Sequence, residues 1–385
     1  MKKIGMILAC ILMLCACKND PFDIDNSLKK SEEQYTILLD QAYAQDKIPR
    51  STDEQGEIDW VKRRMDWTEG FFPGCCWKLY EATGDQKWKD AAAYFQNLYI
   101  EDKDVPSTHD LGFIFYCSYG EGYKLTKDES YKQVVIDASE ALLSRFDPTV
   151  GCIKSWDFGK ERWTFPVIID NMLNLEMLFE ASILTGDDKY KNAAISHADK
   201  TLAHHFRDNF STWHVVDYNP EDGSVIKKLT HQGYTNESSW ARGQGWALYG
   251  YTMCYRYTKN PVYLKQANKV ADFILNNLPD DQVPVWDFDV QDTENLYRDA
   301  SAGALYASAF VELYEYTNDA HYKQTAENIL KSLSSDAYFS KLGGNNGFLL
   351  AHSVGNWPKN SEIDASINYA DYYYLEALLR FKKLK

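Results

Sequence analysis

The chain has 385 residues, of which 45% are hydrophobic and 15% aromatic, and its net charge is −15. So large an apolar fraction excludes a disordered chain, and the acidic balance excludes a nucleic-acid binder, which needs a basic face. It does not exclude a small anionic substrate, because one or two local cations are enough to bind it.

The amino-terminus has the pattern of a bacterial lipoprotein signal peptide. Two lysines precede an apolar run at 4–14, and small residues lead up to Cys17. This run is too short to span a bilayer. We therefore predict a signal peptide at 1–17, lipidation at Cys17, a tether at 18–27 and a place in the periplasm or outer membrane of a Gram-negative cell. An ordinary signal peptide cut nearby is the alternative.

The cysteines beyond the signal peptide do not predict disulfides or a metal site. They are odd in number, lack CxxC spacing and lie mostly in apolar helical stretches, which favours buried thiols. No Cys/His cluster has zinc-ligand spacing, so no metal is expected. These residues are Cys75, Cys76, Cys117, Cys152 and Cys254.

One local pattern recurs five times along the chain. A threonine is followed by a small or polar residue and then Asp or Asn, with an aromatic five positions after the threonine and Ala or Val nine positions after it. Such a pattern is typical of a helical hairpin, in which the acidic or amide residue caps the second helix and the aromatic packs on its first turn. The threonines are Thr83, Thr126, Thr185, Thr258 and Thr317.

The hairpins predict a closed ring. Further helices at 27–45 and 363–382 bring the total to twelve, and the long connections all join an outer helix to the next inner one. We therefore predict an all-α fold, an (α/α)6 toroid formed by a single domain at 28–385, with the long connections gathered on one rim. The connections lie at 147–165, 207–237, 279–296 and 334–362.

Acidic residues stand where the inner helices begin, at the rim formed by the long connections. Asp110 and Asp170 are surrounded by apolar residues, and desolvation should raise the pKa of each towards that of a general acid. Asp299 and Asp371 could instead be ordinary helix-capping residues. We predict that Asp110 and Asp170 are the catalytic pair.

The same rim carries residues suited to an acidic sugar. Arg242 could bind a carboxylate or pair with a buried acid, and Trp246, one turn later, could stack on a sugar ring. His214 and His231, in the longest connection, could orient a ligand or be ordinary loop residues.

Several motifs together resemble glycoside hydrolase family 88, the unsaturated glucuronyl hydrolases. The resemblance extends from about residue 28 to the carboxyl terminus. The motifs are DWTEGFFPG at 66–74, HDLGF at 109–113, IDNMLNL at 169–175, HQGY at 231–234, SWARGQGW at 239–246 and YADYYYLEAL at 369–378.

The resemblance implies a hydration reaction on sugars that polysaccharide lyases have made. Asp170 would protonate C4 of a 4,5-unsaturated uronic acid and activate the water that adds to C5, while Asp110 would contact sugar hydroxyls and influence the charge of Asp170. Substrate contact is implied for Trp67, His214, Gln232, Arg242 and Trp246.

The expected partners are unsaturated uronic-acid oligosaccharides derived from chondroitin, hyaluronan or heparin. No cofactor is expected, because the vinyl ether is already activated and no Gly-rich phosphate loop is present. The lipid is the only expected contact with a membrane. An unsaturated rhamnogalacturonyl hydrolase acting on pectin fragments and a glycan-binding lipoprotein without turnover are the alternatives.

Overall fold

The computed structural model describes residues 22–384, and helices dominate this part of the chain. The α-helices are α1 (Ile24–Gln45), α2 (Phe71–Thr83), α3 (Gln86–Asn97), α4 (Glu121–Thr126), α5 (Glu129–Leu143), α6 (Asn171–Thr185), α7 (Asp188–His204), α8 (Ala241–Thr258), α9 (Pro261–Asn277), α10 (Ala300–Thr317), α11 (Ala320–Leu333) and α12 (Asn368–Lys383). A π-helical segment, Gly112–Gly120, runs directly into α4.

The repeated threonine marks the turn between paired helices, as predicted. In the first hairpin the Thr83 hydroxyl donates to the Leu79 carbonyl at 2.8 Å and accepts from the Asp85 N–H at 3.1 Å. The Asp85 carboxylate then accepts from the Lys87 N–H at 3.0 Å and caps α3. Gly84 adopts the left-handed conformation that ends α2, with φ of 71°. The other four turns have the same caps.

The helices close into two concentric rings. The inner ring contains α2, the π segment with α4, α6, α8, α10 and α12, each packed on the next, and α12 packs on both α10 and α2. The outer ring contains α1, α3, α5, α7, α9 and α11, each packed against two neighbouring inner helices. The predicted (α/α)6 toroid is therefore confirmed.

The inner helices are buried on all sides because both inner neighbours and the outer helices cover them. In α10 every side chain from Ala300 to Leu313 is buried. Near the carboxyl ends of these helices, ion pairs join the ring: Arg256 contacts Glu176 and Glu312 at 2.7 Å, and Arg380 contacts Glu312 at 2.7 Å.

Short strands occupy the connections, which the sequence analysis treated as loops. β1 (Pro49–Thr52) pairs with β2 (Ile58–Trp60), and β3 (Phe146–Asp147) pairs with β4 (Cys152–Ile153). The strands β5, β6 and β7 form an antiparallel sheet in that order, and β8 pairs with β9. Their bounds are Pro166–Ile168, Val215–Tyr218, Val225–Leu229, Ser353–Asn356 and Ser361–Ala365.

Two predicted boundaries are wrong. The final helix begins at Asn368 rather than at 363, because residues 361–365 pair with β8. The first helix begins at Ile24, which is buried, so residues 24–27 belong to α1 and not to a tether. The Asp23 carboxylate accepts from the Asn26 N–H at 3.0 Å and fixes this start.

The five predicted thiols are free and buried. The signal peptide, the lipidation site Cys17 and residues 18–21 of the tether lie outside the described residues. Between residues 22 and 384 we find no helix with both the length and the apolar character needed to cross a membrane.

Candidate active site

A cavity of about 250 Å³ opens where the inner helices begin. It lies on the rim of the long connections, as the predicted toroid requires. Its lining includes both predicted acids, and the residues are Arg50, Arg63, Trp67, His109, Asp110, Trp156, Phe158, Ile168, Asp170, His231, Gln232, Gly355, Asn356, Lys359, Ser361 and Glu362.

The three-stranded sheet brings together site residues that are distant in sequence. Ile168 of β5 pairs with Val215 of β6, and Val215 pairs with Leu229 of β7. Because the strands are antiparallel, the chain before β6 and the chain after β5 and β7 leave the same end of the sheet. Asp170 and His231 therefore line one edge of the cavity together. His214 lies behind Asp170 and is not on the cavity wall, so its position does not support the expected substrate contact.

Asp170 occupies the N-cap position of α6, and its side chain has no capping hydrogen bond. It is only 7% exposed. Burial raises the pKa of Asp170 to about 7, and the charge of Asp110 adds to this effect, while His109 and Arg242 oppose it. Near neutral pH this carboxyl group therefore holds a proton that it can donate.

His214 is held in one tautomer beside Asp170. Its Nδ1 accepts the backbone N–H groups of His231 at 3.0 Å and Gln232 at 3.1 Å, so the ring proton is assigned to Nε2. Burial places the pKa of His214 well below its usual value, and the neighbouring His231 and Arg242 add to this. Neutral His214 therefore presents Nε2–H towards Asp170.

Asp110 has the opposite electrostatic environment. His109 Nε2 lies 3.1 Å from its Oδ1, and the Thr108 hydroxyl donates to its Oδ2 at 2.5 Å. Although burial raises the pKa of Asp110, these contacts with His109 and Thr108 outweigh burial and leave it below the usual value. The rise in the Asp110 pKa that the sequence predicts is therefore wrong. That prediction rests on burial alone and leaves out the contact between His109 and the carboxylate.

The two carboxyl groups are consequently suited to different tasks. At neutral pH Asp110 is ionised, whereas Asp170, with a pKa of about 7, is about half protonated, a separation typical of sites that combine a general acid with a charged partner. The structure thus supplies one proton donor and one carboxylate in a single cavity.

Trp67 and Gln232 both lie on the cavity wall, where the predicted substrate contacts require them. The half-buried Trp67 ring packs on Tyr369, with centroids 4.7 Å apart, and on Phe113 at 5.5 Å. Gln232 donates through Nε2 to the Gly355 carbonyl at 3.2 Å, which connects the His231–Gln232 segment to β8.

Arg242 is not on the cavity wall. It is 1% exposed, and its Nη1 donates to Asp299 at 2.8 Å and to the Val354 carbonyl at 2.7 Å, while Nη2 donates to the Gly355 carbonyl at 2.7 Å. Pairing with a buried acid, the alternative that the sequence left open, is the arrangement observed. The guanidinium fixes β8 against α8 and α10, so its position does not support the expected substrate contact.

Trp246 is fully buried, with 0% of its surface exposed. Its ring packs on Phe113 at 5.3 Å and on Tyr373 at 5.7 Å. No face of the indole is open to the cavity, so the expected stacking on a sugar has no support from this position. The side chain instead packs beneath Phe113, which in turn supports Trp67.

Other wall residues were missed from the sequence. Arg50 of β1 pairs with Asp66 and lies 2.9 Å from Glu362 of β9, while Arg63 is largely exposed. Nothing near Arg50 in the sequence signals this role, since it depends on the pairing of strands. Trp156 and the 54% exposed Phe158 stack at 5.0 Å, and their WDF pattern in a long connection was the available signal.

Within residues 22–384 no group of three or more His, Cys, Asp or Glu side chains has an arrangement that could hold a metal ion.

The comparisons with known proteins agree on one family. The pattern of Glycosyl Hydrolase Family 88 matches residues 42–376. An unsaturated glucuronyl hydrolase of Formosa agariphila is 46% identical, covering 95% of this chain and 92% of its own. An unsaturated chondroitin disaccharide hydrolase of Streptococcus pyogenes serotype M1 is 34% identical, covering 94% and 92%.

Among solved structures, an unsaturated glucuronyl hydrolase specific for heparin superposes with a TM-score of 0.90 at 45% identity, covering 94% of this chain and 97% of that one. This structural match and the family pattern both extend over most of the described residues. The chain belongs to glycoside hydrolase family 88.

Proposed function

We propose that this glycosidase removes the 4,5-unsaturated glucuronic acid from the non-reducing end of glycosaminoglycan oligosaccharides made by lyases. The observation that carries the proposal is the pair of acids in one cavity, where burial lets Asp170 hold a proton near neutral pH and the contacts with His109 and Thr108 keep Asp110 ionised. The names of the similar proteins, which include heparin-specific and chondroitin-disaccharide enzymes, support the substrate class.

The reaction we infer begins with proton transfer from Asp170 to C4 of the vinyl ether. Positive charge develops at C5 and the ring oxygen, and a water molecule adds to C5. The carboxylate of Asp170 then takes a proton from that water, which restores the acid. The ring opens at the new hemiketal to leave a ketone at C5, and the hemiacetal left at C1 collapses and releases the second sugar. One water is consumed in the whole sequence.

Asp110 assists without giving up a proton. Its negative charge contributes to keeping Asp170 protonated, and it is a strong acceptor for sugar hydroxyl groups. Trp67 supplies an aromatic wall for a sugar ring, and Arg63 and Lys359 supply positive charge for an acidic sugar. The wall thus matches the chemistry of an unsaturated uronic acid.

The direct test follows the absorbance of the conjugated double bond in lyase-made disaccharides from chondroitin, hyaluronan and heparin. Decay on at least one of them is expected, and the ranking of rates identifies the preferred substrate. No decay on any of them, together with decay on unsaturated pectin fragments, would replace this proposal with a rhamnogalacturonyl hydrolase. If the absorbance decays on neither the glycosaminoglycan disaccharides nor the pectin fragments, the remaining alternative is a glycan-binding protein without turnover.

For the amino-terminus we propose a bacterial lipoprotein anchored through Cys17 in the periplasm or outer membrane. The support is the sequence at 1–17 and the start of α1 at Ile24, which leaves residues 18–23 as the connection. Radiolabelled palmitate should label the full chain expressed in a Gram-negative host and should not label Cys17→Ala. Equal labelling of the two proteins would refute the anchor.

A further inference from the structure

One buried amide connects the segment that carries Asp110 to the helix that carries Asp170. Asn174 lies on α6 four residues after Asp170, and it is 0% exposed. Its Oδ1 accepts the backbone N–H of Phe113 at 2.9 Å. We propose that Asn174 is a positioning residue that fixes Asp110 relative to Asp170. The inference rests on the proposed function, because it concerns the same acids.

The hydrogen bond satisfies a group that the π segment cannot satisfy itself. Phe113 stands in the first turn of a helical stretch that begins at Gly112, where backbone N–H groups have no earlier carbonyl in the helix to pair with. An amide from the neighbouring helix takes the place of an ordinary N-cap. Loss of this acceptor would leave a buried N–H unpaired, and the segment would have to move to reach a new partner.

The two elements also touch directly. A Cβ added at Gly112 would lie 2.7 Å from both the Cα and the Oδ1 of Asn174. Only glycine permits so close an approach, since any larger residue would push the segment away from α6. Gly112 follows Asp110 by two residues, so such a displacement would reach the carboxylate.

The wall of the cavity depends on the same contact. The Phe113 ring packs against Trp67 at 5.5 Å, while Asp110 lies two residues before the start of the segment. Movement of the Phe113 backbone would therefore shift both the carboxylate that influences the proton on Asp170 and the support of the sugar-facing indole. Asn174 does not line the cavity, so any effect on turnover would have to pass through these neighbours.

A second buried amide provides a matched control. Gln96 is 1% exposed, its Oε1 accepts Trp77 Nε1–H from α2 at 2.9 Å, and its Nε2, like Nδ2 of Asn174, has no partner among the described residues. It lies on α3 away from the cavity. Replacing either amide by an isosteric apolar residue removes one hydrogen bond to a neighbouring element.

The experiment compares Asn174→Leu, Gln96→Met and the unmodified full chain over a range of pH. We expect kcat of Asn174→Leu to fall by about 10- to 100-fold, the loss typical of a small displacement of a catalytic group. The alkaline limb of the pH–rate profile of Asn174→Leu should move to lower pH, because Asp110 would no longer be held beside Asp170. Gln96→Met should keep both kcat and the limb of the unmodified enzyme, although it too loses thermal stability.

Two outcomes would overturn the inference. One is an Asn174→Leu enzyme with the kcat and the pH limb of Gln96→Met. The other, which remains available if Asn174→Leu does not fold, is a Gly112→Ala enzyme with unchanged kcat, because this variant keeps the amide but separates the two elements. If the unmodified chain turns over no unsaturated disaccharide, the proposed function fails instead.

Discussion

His214 Nε2 lies 3.6 Å from Asp170 Oδ2, which is longer than a hydrogen bond, and neither atom has a hydrogen-bond partner among the described residues. The imidazole is fixed by the backbone N–H groups of His231 and Gln232. Because of this separation, the proton on Asp170 forms no hydrogen bond with His214 in the resting enzyme. A small approach of the two side chains would let Nε2–H donate to Oδ2 once the carboxylate becomes charged.

Replacing Asp170 by Asn should remove the proton donor while keeping the shape of the side chain. We expect kcat to fall by about 10²- to 10⁴-fold, the range typical of general acid–base groups. The melting temperature should hold or rise, since Asp170 carries no capping bond that would be lost. An Asp170→Asn enzyme with a near-normal rate would contradict the assignment of the acid.

The pH dependence of kcat should report the proton on Asp170. Its pKa is raised to about 7, so the active protonated form is fully present well below that pH and is lost as the pH rises through it. The rate should then fall about tenfold per pH unit on the alkaline side. Asp110→Asn should shift this limb to lower pH, because the charge of Asp110 contributes to raising the pKa. If the alkaline limb of Asp110→Asn does not move, the charge of Asp110 does not contribute to the raised pKa of Asp170.

The two contacts of His214 can be tested separately. His214→Ala removes the acceptor for two backbone N–H groups, so the Gln232 segment should loosen and KM should rise. His214→Asn places an oxygen near the position of Nδ1 and should recover KM, while kcat stays low because Nε2–H is absent. Equal KM values for the two variants in disaccharide turnover would argue against anchoring by Nδ1.

Arg242 should be important for stability, because it is paired inside the protein. Removing one partner of a buried ion pair costs about 3–5 kcal/mol, so Arg242→Met should lower the free energy of unfolding in urea by about that amount. The exposed Lys29, whose ion pair with Glu33 is 3.8 Å long, provides a control, and Lys29→Met should change this free energy by less than about 0.5 kcal/mol. An Arg242→Met protein of normal stability with a raised KM would instead favour direct contact with substrate.

Chelation provides a test of the cofactor prediction. Because a protonated carboxyl group suffices to start the hydration of a vinyl ether, turnover should be the same before and after dialysis against EDTA. The control is the same enzyme with added Mg²⁺ or Zn²⁺. A rate that falls in EDTA and returns with one of these ions would contradict metal-free chemistry.

Local signals in the sequence predicted the hairpins well. Each threonine turn contains its own caps and its packing aromatic, so the information needed to build it lies within about ten residues. The closure of the ring follows from five such hairpins together with the first and last helices, and the predicted cavity rim follows from the long connections. Asp110, Asp170, Trp67 and Gln232 stand on that rim for this reason.

Long-range pairing accounts for what the sequence did not predict. Arg50 reaches the cavity only because β1 lies beside β9, and the start of α12 is delayed because residues 361–365 pair with β8. Arg242 and Trp246 share a helix face, as expected, but that face turns towards Asp299 and Phe113 rather than the cavity. The spacing of residues on one helix does not determine which neighbour covers them.

The order of bond changes tests the proposed chemistry most directly. A lyase-made unsaturated disaccharide would be followed at once for absorbance of its double bond and for new reducing ends. Hydration by Asp170 predicts that absorbance is lost before or together with the release of the second sugar. Release of reducing ends while the absorbance persists would indicate direct cleavage at C1 and contradict the mechanism.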